Sequence, residues 1–410
     1  MNSKEIFSLA IGLSEPWFIR EIELRKPEGT ISGELNIYID FKRGSRFVYE
    51  GIPDSSVHDT VERKWQHLNF FQHNCYLNAR VPRIKLPNGK VKTIQVPWAR
   101  KGSGFTLLFE AFSMLLIESE MPVSKASKIM RVFPQRLWNI FTFWINRAHM
   151  NDKVKQVEKL GFDETSTKRG HNYVTLAVDL EERRVLFATE GKGHKSISET
   201  ASYLESKSVD CEKVKQVCID MSPAFISGVM GAFEKAAITF DKFHVTKEVN
   251  KAMDELRKLE RKENEMLKGH KYTFLKKPES LSPDMKFQKQ ELLELYPKLG
   301  EGYRLKELFS EFWDMESTEE AGAYLAFWCD LAHESQIQPF IKAANTIKAH
   351  WSGIVNYIES KINNGILEGI NSKVQLAKKR ARGYKNINNF INMIYFTCGK
   401  LKFDYPQYSI

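Results

Sequence analysis

The chain has 410 residues, of which 42% are hydrophobic and 27% are charged, a length and composition typical of a globular protein with two or three domains. Its net charge of +10 favours a polyanionic partner, because clustered Lys and Arg side chains attract phosphate groups. Five scattered cysteines without a CxxC pair exclude a disulfide framework, and without an apolar segment of bilayer length or a secretory start we expect a cytoplasmic protein with no membrane partner.

Residues 1–100 have the pattern of a small β-rich module. Hydrophobic and polar residues alternate with period two along residues 34–41 and 91–96, which is typical of strands with one buried face. A Pro-Asn-Gly turn signal at residues 87–89 separates the second run from residues 81–84. This arrangement predicts a β-hairpin.

Residues 101–150 are predicted to form three short helices. Apolar residues recur at helical spacing in three runs: residues 105–117, 123–130 and 137–145. Ser124 is a candidate cap for the second helix, and Pro134 suits the first turn of the third. These proportions are typical of a helix-turn-helix unit, although a helical linker bundle is the alternative. Three polar side chains of the third helix would reach a DNA groove: Gln135, Arg136 and Asn139.

Residues 151–250 are predicted to form three strands followed by alternating helices and strands. The predicted elements are strands at 160–163, 172–179 and 184–189, a helix at 196–206, a strand at 214–220, a helix at 223–233, a strand at 237–241 and a helix from about 243. An antiparallel group followed by β–α alternation favours an α/β layer fold.

Three hydrophobic runs of this region each end in an aspartate: Asp163, Asp220 and Asp241. If the runs are buried strands, the carboxylates emerge at one sheet edge, where like charges are costly unless cations neutralise them. The pattern therefore predicts a divalent-metal site. Taken singly, each aspartate has a simpler explanation: a strand-end turn for Asp163, a helix cap for Asp220, and a cap for the helix that carries His244.

The rest of the chain is predicted to be helical. Residues 251–361 are heavily charged, and the simplest interpretation of their charge runs is a solvated helix face. From residue 363 another helix begins, in which Glu368 precedes a dense basic stripe. An acid beside such a stripe can bind metal while the stripe binds phosphate. The stripe includes Lys373, Lys379, Arg380 and Arg382.

Four strings of this sequence resemble the bacterial insertion-sequence transposases of the ISL-three family. They are DMSPAF at 220–225, FDKFHVTK at 240–247, NGILEGIN at 364–371 and KRARGY at 379–384. The resemblance runs from about residue 81 to residue 396 and implies an RNase H-like DDE catalytic core, at 151–250 and 362–410, interrupted by an all-helical insertion at 251–361. It also implies that Asp163, Asp220 and Glu368 are the catalytic carboxylates and metal ligands.

The resemblance implies two-metal-ion chemistry with Mg²⁺, for which Mn²⁺ substitutes, because phosphodiester transfer needs an activated hydroxyl and a stabilised leaving oxygen. Asp241 and His244 resemble an accessory Asp-x-x-His signature of related transposases, and their DNA-facing role competes with simple capping and packing. The partner is double-stranded DNA, both element ends and target, and the basic stripe contacts its phosphates unless it is only a solvated helix face. The protein would be a bacterial, nucleoid-associated one.

The amino-terminal module departs from the family pattern. Relatives carry a zinc ribbon whose second CxxC knuckle precedes a Pro-Trp-Ala stretch, whereas this chain has Leu-Pro-Asn-Gly at residues 86–89. His67, His73 and Cys75 lie close together in the sequence and are the only substitutes we identify, so we predict no structural zinc. The DNA-binding role of the module follows mainly from the resemblance.

Three functions remain open from the sequence. The first is an active transposase that cuts element ends and joins a 3′-hydroxyl to target DNA, and the presence of all three acids favours it. The second is a transposon-derived regulator that binds DNA without catalysis, and the third is an RNase H-like nuclease that cuts without joining.

A homodimer on DNA is expected, because two element ends must be cut in concert. The aromatic residues of the helical segment either supply the contact between chains or form the segment's own core: Phe309, Phe312, Trp313, Tyr324, Phe327 and Trp328.

Overall fold

The structure is a computed structural model that describes residues 2–50, 52–168, 172–262, 265–276, 278–362 and 365–406. The chain divides into two compact units, the first comprising residues 2–148 with 402–406 and the second residues 149–401. In the described ranges, no helix is long and apolar enough to cross a membrane. All five cysteines are free thiols.

The first unit contains a β-sheet and a group of helices. In chain order its elements are α1 (Ser3–Ile11), β1 (Trp17–Arg25), β2 (Glu34–Phe41), β3 (Arg46–Tyr49), β4 (Ile52–Phe70), β5 (His73–Lys85), β6 (Val91–Thr93), α2 (Leu107–Glu118), α3 (Val123–Ile129) and α4 (Pro134–Asn151). The sheet has the order β1-β2-β5-β4-β3, and β6 also pairs with β5. The long antiparallel β4–β5 hairpin forms its centre.

The β-module prediction is confirmed at the level of strands. β2 has the predicted bounds, and β5 pairs with β6 around the predicted turn, where Gly89 has a φ of +78°. Buried aromatic rings fill the core, and the Trp98 ring packs edge-on against both Trp17 and Trp65. An apolar core of this kind stabilises a small module by hydrophobic burial.

The three predicted helices of residues 101–150 are present as α2, α3 and α4. Pro134 begins α4 as predicted, but the proposed cap Ser124 is wrong: α3 begins at Val123, so Ser124 lies inside it, and Pro122 precedes it without a side-chain cap bond. The fully buried side chain of Glu110 links α2 to α4. Its Oε2 accepts hydrogen bonds at 2.8 Å from Arg100 Nε and from Trp144 Nε1 of α4.

The second unit begins with a mixed sheet. Its first elements are β7 (Lys159–Ser166), β8 (Tyr173–Asp179), β9 (Arg184–Glu190), α5 (His194–Ser206), β10 (Gln216–Ile219), α6 (Pro223–Ala232), β11 (Ala237–Phe240) and α7 (Lys242–Arg261). The strand order is β11-β10-β7-β8-β9, in which β8 is antiparallel to β7 and β9, and β10 is parallel to both β7 and β11. The predicted sequence of strands and helices is therefore confirmed.

The prediction that the first strand ends at Asp163 is wrong. β7 continues for three residues beyond Asp163, to Ser166, and Asp163 pairs opposite Leu176 of β8. The strand outlasts its hydrophobic run because backbone hydrogen bonds to β8 hold the polar residues that follow. Asp220 and Asp241 do follow the ends of β10 and β11.

Helices cover both faces of this sheet. Phe162 of β7 packs against Phe225 and Phe233 on the side of α6. Residues alternate between the faces of a strand, so Gly161 and Asp163 point to the opposite side. On that side lie two helices near the C-terminus, α14 (Gly365–Arg380) and α15 (Ile387–Cys398). Tyr395 Oη of α15 accepts a hydrogen bond from Ala188 N of β9 at 2.9 Å.

The segment between β11 and α14 is helical in its described part. After α7 it contains α8 (Lys271–Leu275), α9 (Pro283–Leu295), α10 (Pro297–Glu311), α11 (Thr318–Glu334), α12 (Gln338–Ala349) and α13 (Trp351–Ser360). Of the aromatic residues considered for a contact between chains, four are buried in the core of the unit: Phe309, Phe312, Trp313 and Trp328. Tyr324 packs against this core, and Phe327 is 53% exposed. Most of these aromatic residues are thus buried, in a core that the segment shares with the sheet of this unit.

Candidate active site

Two of the predicted carboxylates lie on adjacent parallel strands. Cys218 of β10 pairs with Gly161 of β7, so two residues further along each strand Asp220 follows β10 at the level of Asp163. Asp163 is on the central strand of the sheet and Asp220 is at the beginning of the connection to α6. The fold therefore brings the two acids together, although 56 positions separate them in the sequence.

Asp163 is held by two hydrogen bonds. Its Oδ1 accepts one from Glu164 N at 2.7 Å, and its Oδ2 accepts one from Asn371 Nδ2 of α14. Burial raises the pKa of Asp163 to about 6, whereas the Glu164 N–H and the charge of His244 act in the opposite direction. The negative charges of Asp241 and Asp220 raise this pKa further. A bound cation would stabilise the charged form of a carboxylate in this position.

Asp241 and His244 belong to the same charge cluster. Asp241 is 8% exposed and caps α7, because its Oδ1 accepts a hydrogen bond from Phe243 N at 2.6 Å. His244 Nδ1 lies 3.4 Å from Asp241 Oδ2. The neighbouring Asp241 carboxylate raises the pKa of His244, and the charges of Asp220 and Asp163 add to this effect. The capping contact expected for Asp241 is thus present within the cluster.

Asp220 does not cap α6, whose cap residue is Ser222, but it makes a local contact ahead of that helix. Its Oδ1 accepts a hydrogen bond from Ser222 N at 2.9 Å, which orders the chain ahead of α6. This bond uses one oxygen of the carboxylate. The side chain remains half-buried beside the cluster.

Glu368 lies in the first turn of α14, and its side chain is exposed. Leu367 beside it packs over Gly161, where an added Cβ would come within 3.0 Å of Leu367 Cδ2. Asn363 and Asn364, which begin the predicted helix, lie outside the described residues. In the part of the chain that the structure describes, no group of three or more His, Cys, Asp or Glu side chains is close enough to hold a metal ion. Asp163, Asp220 and Glu368 therefore do not meet at one point.

The sequence did not lead us to predict a row of polar side chains on α14 that contacts β7. Asn371 contacts Asp163, Gln375 Nε2 donates to Thr165 Oγ1 at 2.6 Å, and Lys378 Nζ donates to Ser166 O at 2.6 Å. Residues three and four apart share a helix face, so the row follows β7. The sequence pattern that could have indicated this contact is the polar row at helical spacing beside an apolar stripe. The stripe is buried in the structure and consists of Leu367, Ile370 and Val374.

The structure also locates the predicted DNA-binding residues. Gln135 and Asn139 are exposed on α4 and are joined by a 3.0 Å hydrogen bond, and the Arg136 guanidinium lies over the Phe105 ring at 4.3 Å. The four basic residues predicted to contact phosphates are all exposed: Lys373, Lys379, Arg380 and Arg382. The ammonium group of Lys378, in contrast, donates a hydrogen bond to Ser166 O of β7.

Comparison with known families shows to which family the chain belongs. A DDE transposase family model, described as "Transposase" and named for ISL3, matches residues 160–394, more than half of the chain. The chain belongs to the ISL3 family of transposases. Within it, the helix-turn-helix domain of transposase family ISL3 matches residues 94–145. The zinc-finger of transposase IS204/IS1001/IS1096/IS1165 matches residues 53–86.

Curated relatives give the same result over most of the chain. The transposase for insertion sequence element IS1557 of Mycobacterium tuberculosis is 23% identical over 364 residues, which cover 82% of this chain and 81% of that protein. The transposase for IS1001 of Bordetella parapertussis is 25% identical over 351 residues, covering 82% and 84%. The predicted resemblance is confirmed, and this ISL3 protein is an insertion-sequence transposase with a DNA-binding helix-turn-helix domain.

The candidate zinc ligands of this transposase are engaged in other contacts. His73 Nδ1 accepts a hydrogen bond from Gly33 N at 2.9 Å, and His67 Nδ1 lies 2.8 Å from Thr106 Oγ1. Cys75 is buried in the core of the first unit, and burial raises the pKa of its thiol to about 12, although zinc binds the thiolate. The zinc-finger match at residues 53–86 nevertheless leaves zinc binding by this module open.

Proposed function

We propose that this transposase cuts the ends of its insertion sequence and joins the 3′-hydroxyl ends to target DNA, with Asp163, Asp220 and Glu368 as its catalytic carboxylates. The observation that supports it most is the position of Asp163 on the central strand of the β11-β10-β7-β8-β9 sheet, with Asp220 following the adjacent parallel strand. We interpret this sheet as an RNase H-like core, into which the helices from α7 to α13 are inserted before α14.

The proposed cofactor is Mg²⁺, which Mn²⁺ replaces. The donor set fits it: carboxylate oxygens are the ligands that Mg²⁺ prefers, and Asp163 lies buried within the influence of the negative charges of Asp220 and Asp241, which a cation would offset. When bound, the ion activates the attacking water or 3′-hydroxyl and stabilises the leaving oxygen. Asp163 and Asp220 would hold it from the sheet, and Glu368 from the first turn of α14.

Glu368 joins the site only when DNA and metal are present, in our proposal. Its side chain is exposed and sits one helical turn before Asn371, which already contacts Asp163. In this proposal, rotation of the long Glu368 side chain would bring its carboxylate towards Asp163. Asp241 and His244 would contribute to the charge balance of the site, and we assign them no ligand role.

Substitution of the three carboxylates tests the assignment. We expect Asp163→Asn, Asp220→Asn and Glu368→Gln each to lower cleavage of element-end DNA in Mg²⁺ on the order of a thousandfold, because each removes a ligand of the reacting centre. Binding of uncleaved end DNA and the melting temperature should change little. Cleavage would be followed on labelled element ends with the full-length protein.

Glu334→Gln is the matched control, since Glu334 is an exposed carboxylate at the end of α11. It should cleave like the unmodified protein. Near-normal cleavage by Glu368→Gln would show that the third carboxylate lies elsewhere. Joined products in the same reaction separate a transposase from a nuclease that only cuts, and a protein that binds ends without cleaving them would be a regulator.

End recognition is proposed to reside in α4, with Gln135 and Asn139 at base edges and Arg136 nearby. The exposed basic residues of α14 and the following turn would contact backbone phosphates of element ends or target DNA. The β4–β5 hairpin would keep its shape without zinc, by its apolar core and the contacts of His67 and His73. One zinc ion per purified chain would contradict this. With DNA as its substrate, we place the protein's activity in the bacterial cytoplasm.

A further inference from the structure

We propose that Asn371 positions Asp163 and presents its own amide oxygen to the catalytic cation. The inference rests on the function proposed above and extends the site by one residue. Asn371 lies in α14, three residues after Glu368, so both side chains are on neighbouring parts of one helix face.

The two atoms of the Asn371 amide have different surroundings. Nδ2 donates a hydrogen bond to Asp163 Oδ2, while Oδ1 is buried and, in the described part of the chain, has no hydrogen-bond partner. A buried carbonyl oxygen without a partner is costly, because it has lost its water and gained nothing in exchange. An amide oxygen is also a suitable ligand for a hard divalent cation.

The charges around Asn371 explain why an amide suits this position. Asp163 lies within the electrostatic influence of Asp220 and Asp241, and a further carboxylate here would add to the repulsion. An amide donates to Asp163 and supplies an oxygen without adding negative charge. With Glu164 N at Oδ1 and Asn371 at Oδ2, both oxygens of Asp163 are fixed in direction and each keeps a lone pair for a ligand.

The rest of the polar row fixes Asn371 in place. Gln375 and Lys378 attach the following turns of α14 to Thr165 and Ser166. On the other side, Leu367 packs over Gly161. The helix is therefore held on β7 at both ends of the row, which keeps the Asn371 amide beside Asp163 even in the absence of a cation.

Direct measurement of Mn²⁺ affinity tests the proposal. The full-length protein would be titrated with Mn²⁺ in the presence of uncleavable element-end DNA, with free Mn²⁺ followed by electron paramagnetic resonance. We expect Asn371→Ala to weaken Mn²⁺ binding by about 10- to 100-fold. The melting temperature without metal and the affinity for end DNA should be close to those of the unmodified protein.

Two control variants separate the outcomes. Asn388→Ala removes an exposed asparagine from α15 of the same unit and should leave Mn²⁺ affinity unchanged. Gln375→Leu weakens the attachment of α14 and should lower the melting temperature without metal more than Asn371→Ala does. If Asn371→Ala lowers the melting temperature but keeps full Mn²⁺ affinity, Asn371 only packs α14 and the proposal is wrong.

The Asp163→Asn protein distinguishes this failure from failure of the proposed function. If Asp163→Asn loses Mn²⁺ affinity and Asn371→Ala does not, the carboxylate site stands and only the role of Asn371 is refuted. If both proteins bind Mn²⁺ as tightly as the unmodified chain, the metal site itself has been assigned wrongly.

Discussion

At the scale of single residues, His67 connects the β-module to the helix-turn-helix. It lies on β4, and its Nδ1 is 2.8 Å from Oγ1 of Thr106, the residue that caps α2 by accepting from Phe109 N. Because the Thr106 hydroxyl oxygen accepts the hydrogen bond from Phe109 N, the Thr106 hydroxyl hydrogen can be donated to Nδ1 of a neutral His67 ring. Burial lowers the pKa of His67 to about 4, so the ring is neutral in the folded protein at pH 7.

The lowered pKa predicts a loss of stability in mild acid. The unfolded chain protonates His67 near its ordinary pKa of about 6.5, whereas the folded chain resists protonation until about pH 4. The contribution is complete above pH 6.5 and is lost as pH falls towards 4, by on the order of 1–3 kcal/mol. His67→Gln keeps a hydrogen-bonding group without this titration, so its melting temperature should fall less between pH 7 and pH 5. A ring that titrates near 6.5 in NMR spectra would contradict the prediction.

The residues of the site differ in how far the sequence could reveal them. Asp220 and Glu368 stand in strings that resemble the family, and Asp163 ends a hydrophobic run, so the three acids are visible in the chain and their catalytic role stays a prediction. Asn371 belongs to the same string as Glu368, at residues 364–371, but its contact with Asp163 joins positions 208 apart. Only the packing of α14 on β7 reveals that contact, and no local pattern encodes which strand a helix will cover.

At the scale of elements, period and turn chemistry predicted β2, β5, β6, the three helices of residues 101–150 and the order of strands and helices in residues 151–250, but not α1, β1, β3 or β4. The failures have local causes. The residues at the end of β7 are polar but pair with β8, and Thr165 among them is buried, so the hydrophobic run stopped before the strand did. Ser124 has the chemistry of a cap, but the helix begins one residue earlier, after Pro122, whose φ of −58° already suits a chain that enters a helix.

The close approach of α14 to β7 depends on a glycine. A Cβ at Gly161 would lie 2.8 Å from Leu180 Cδ2 and 3.0 Å from Leu367 Cδ2, so only glycine lets Leu367 pack this closely. We expect Gly161→Val to destabilise the protein by about 1–3 kcal/mol, because the branched side chain overpacks this contact. Cleavage should fall further than stability explains, since α14 carries Glu368 and Asn371.

Gly322→Ala is the control for that prediction. Gly322 lies in α11, and an added Cβ there has no neighbour within 4 Å. The change should stabilise the protein by up to about 1 kcal/mol through helix propensity and leave cleavage unchanged. Equal cleavage by Gly161→Val and the unmodified protein, per folded molecule, would mean that the position of α14 does not govern the chemistry.

At the scale of the whole molecule, the net charge of +10 suits a protein that holds DNA along more than one surface. Recognition is assigned to the first unit and chemistry to the second, so affinity for ends and cleavage should respond to different substitutions. Four aromatic residues of the helical segment are buried in one core that the segment shares with the sheet, whereas Phe327 stays 53% exposed. The sequence offered no way to separate a buried aromatic residue from one available for a contact between chains.

We propose that two chains are required, because of the geometry of the reaction. An element has two ends, and each chain supplies one Asp163–Asp220 pair, so concerted cutting needs a complex with at least two copies. We expect light scattering to give the mass of two chains or more on paired end DNA. Equal mixtures of the unmodified protein and Asp163→Asn should then accumulate molecules cut at a single end, because mixed complexes contain one active site. The unmodified protein alone should cut both ends together. If a complex with the mass of one chain cuts and joins both ends, the dimer is not needed for transposition.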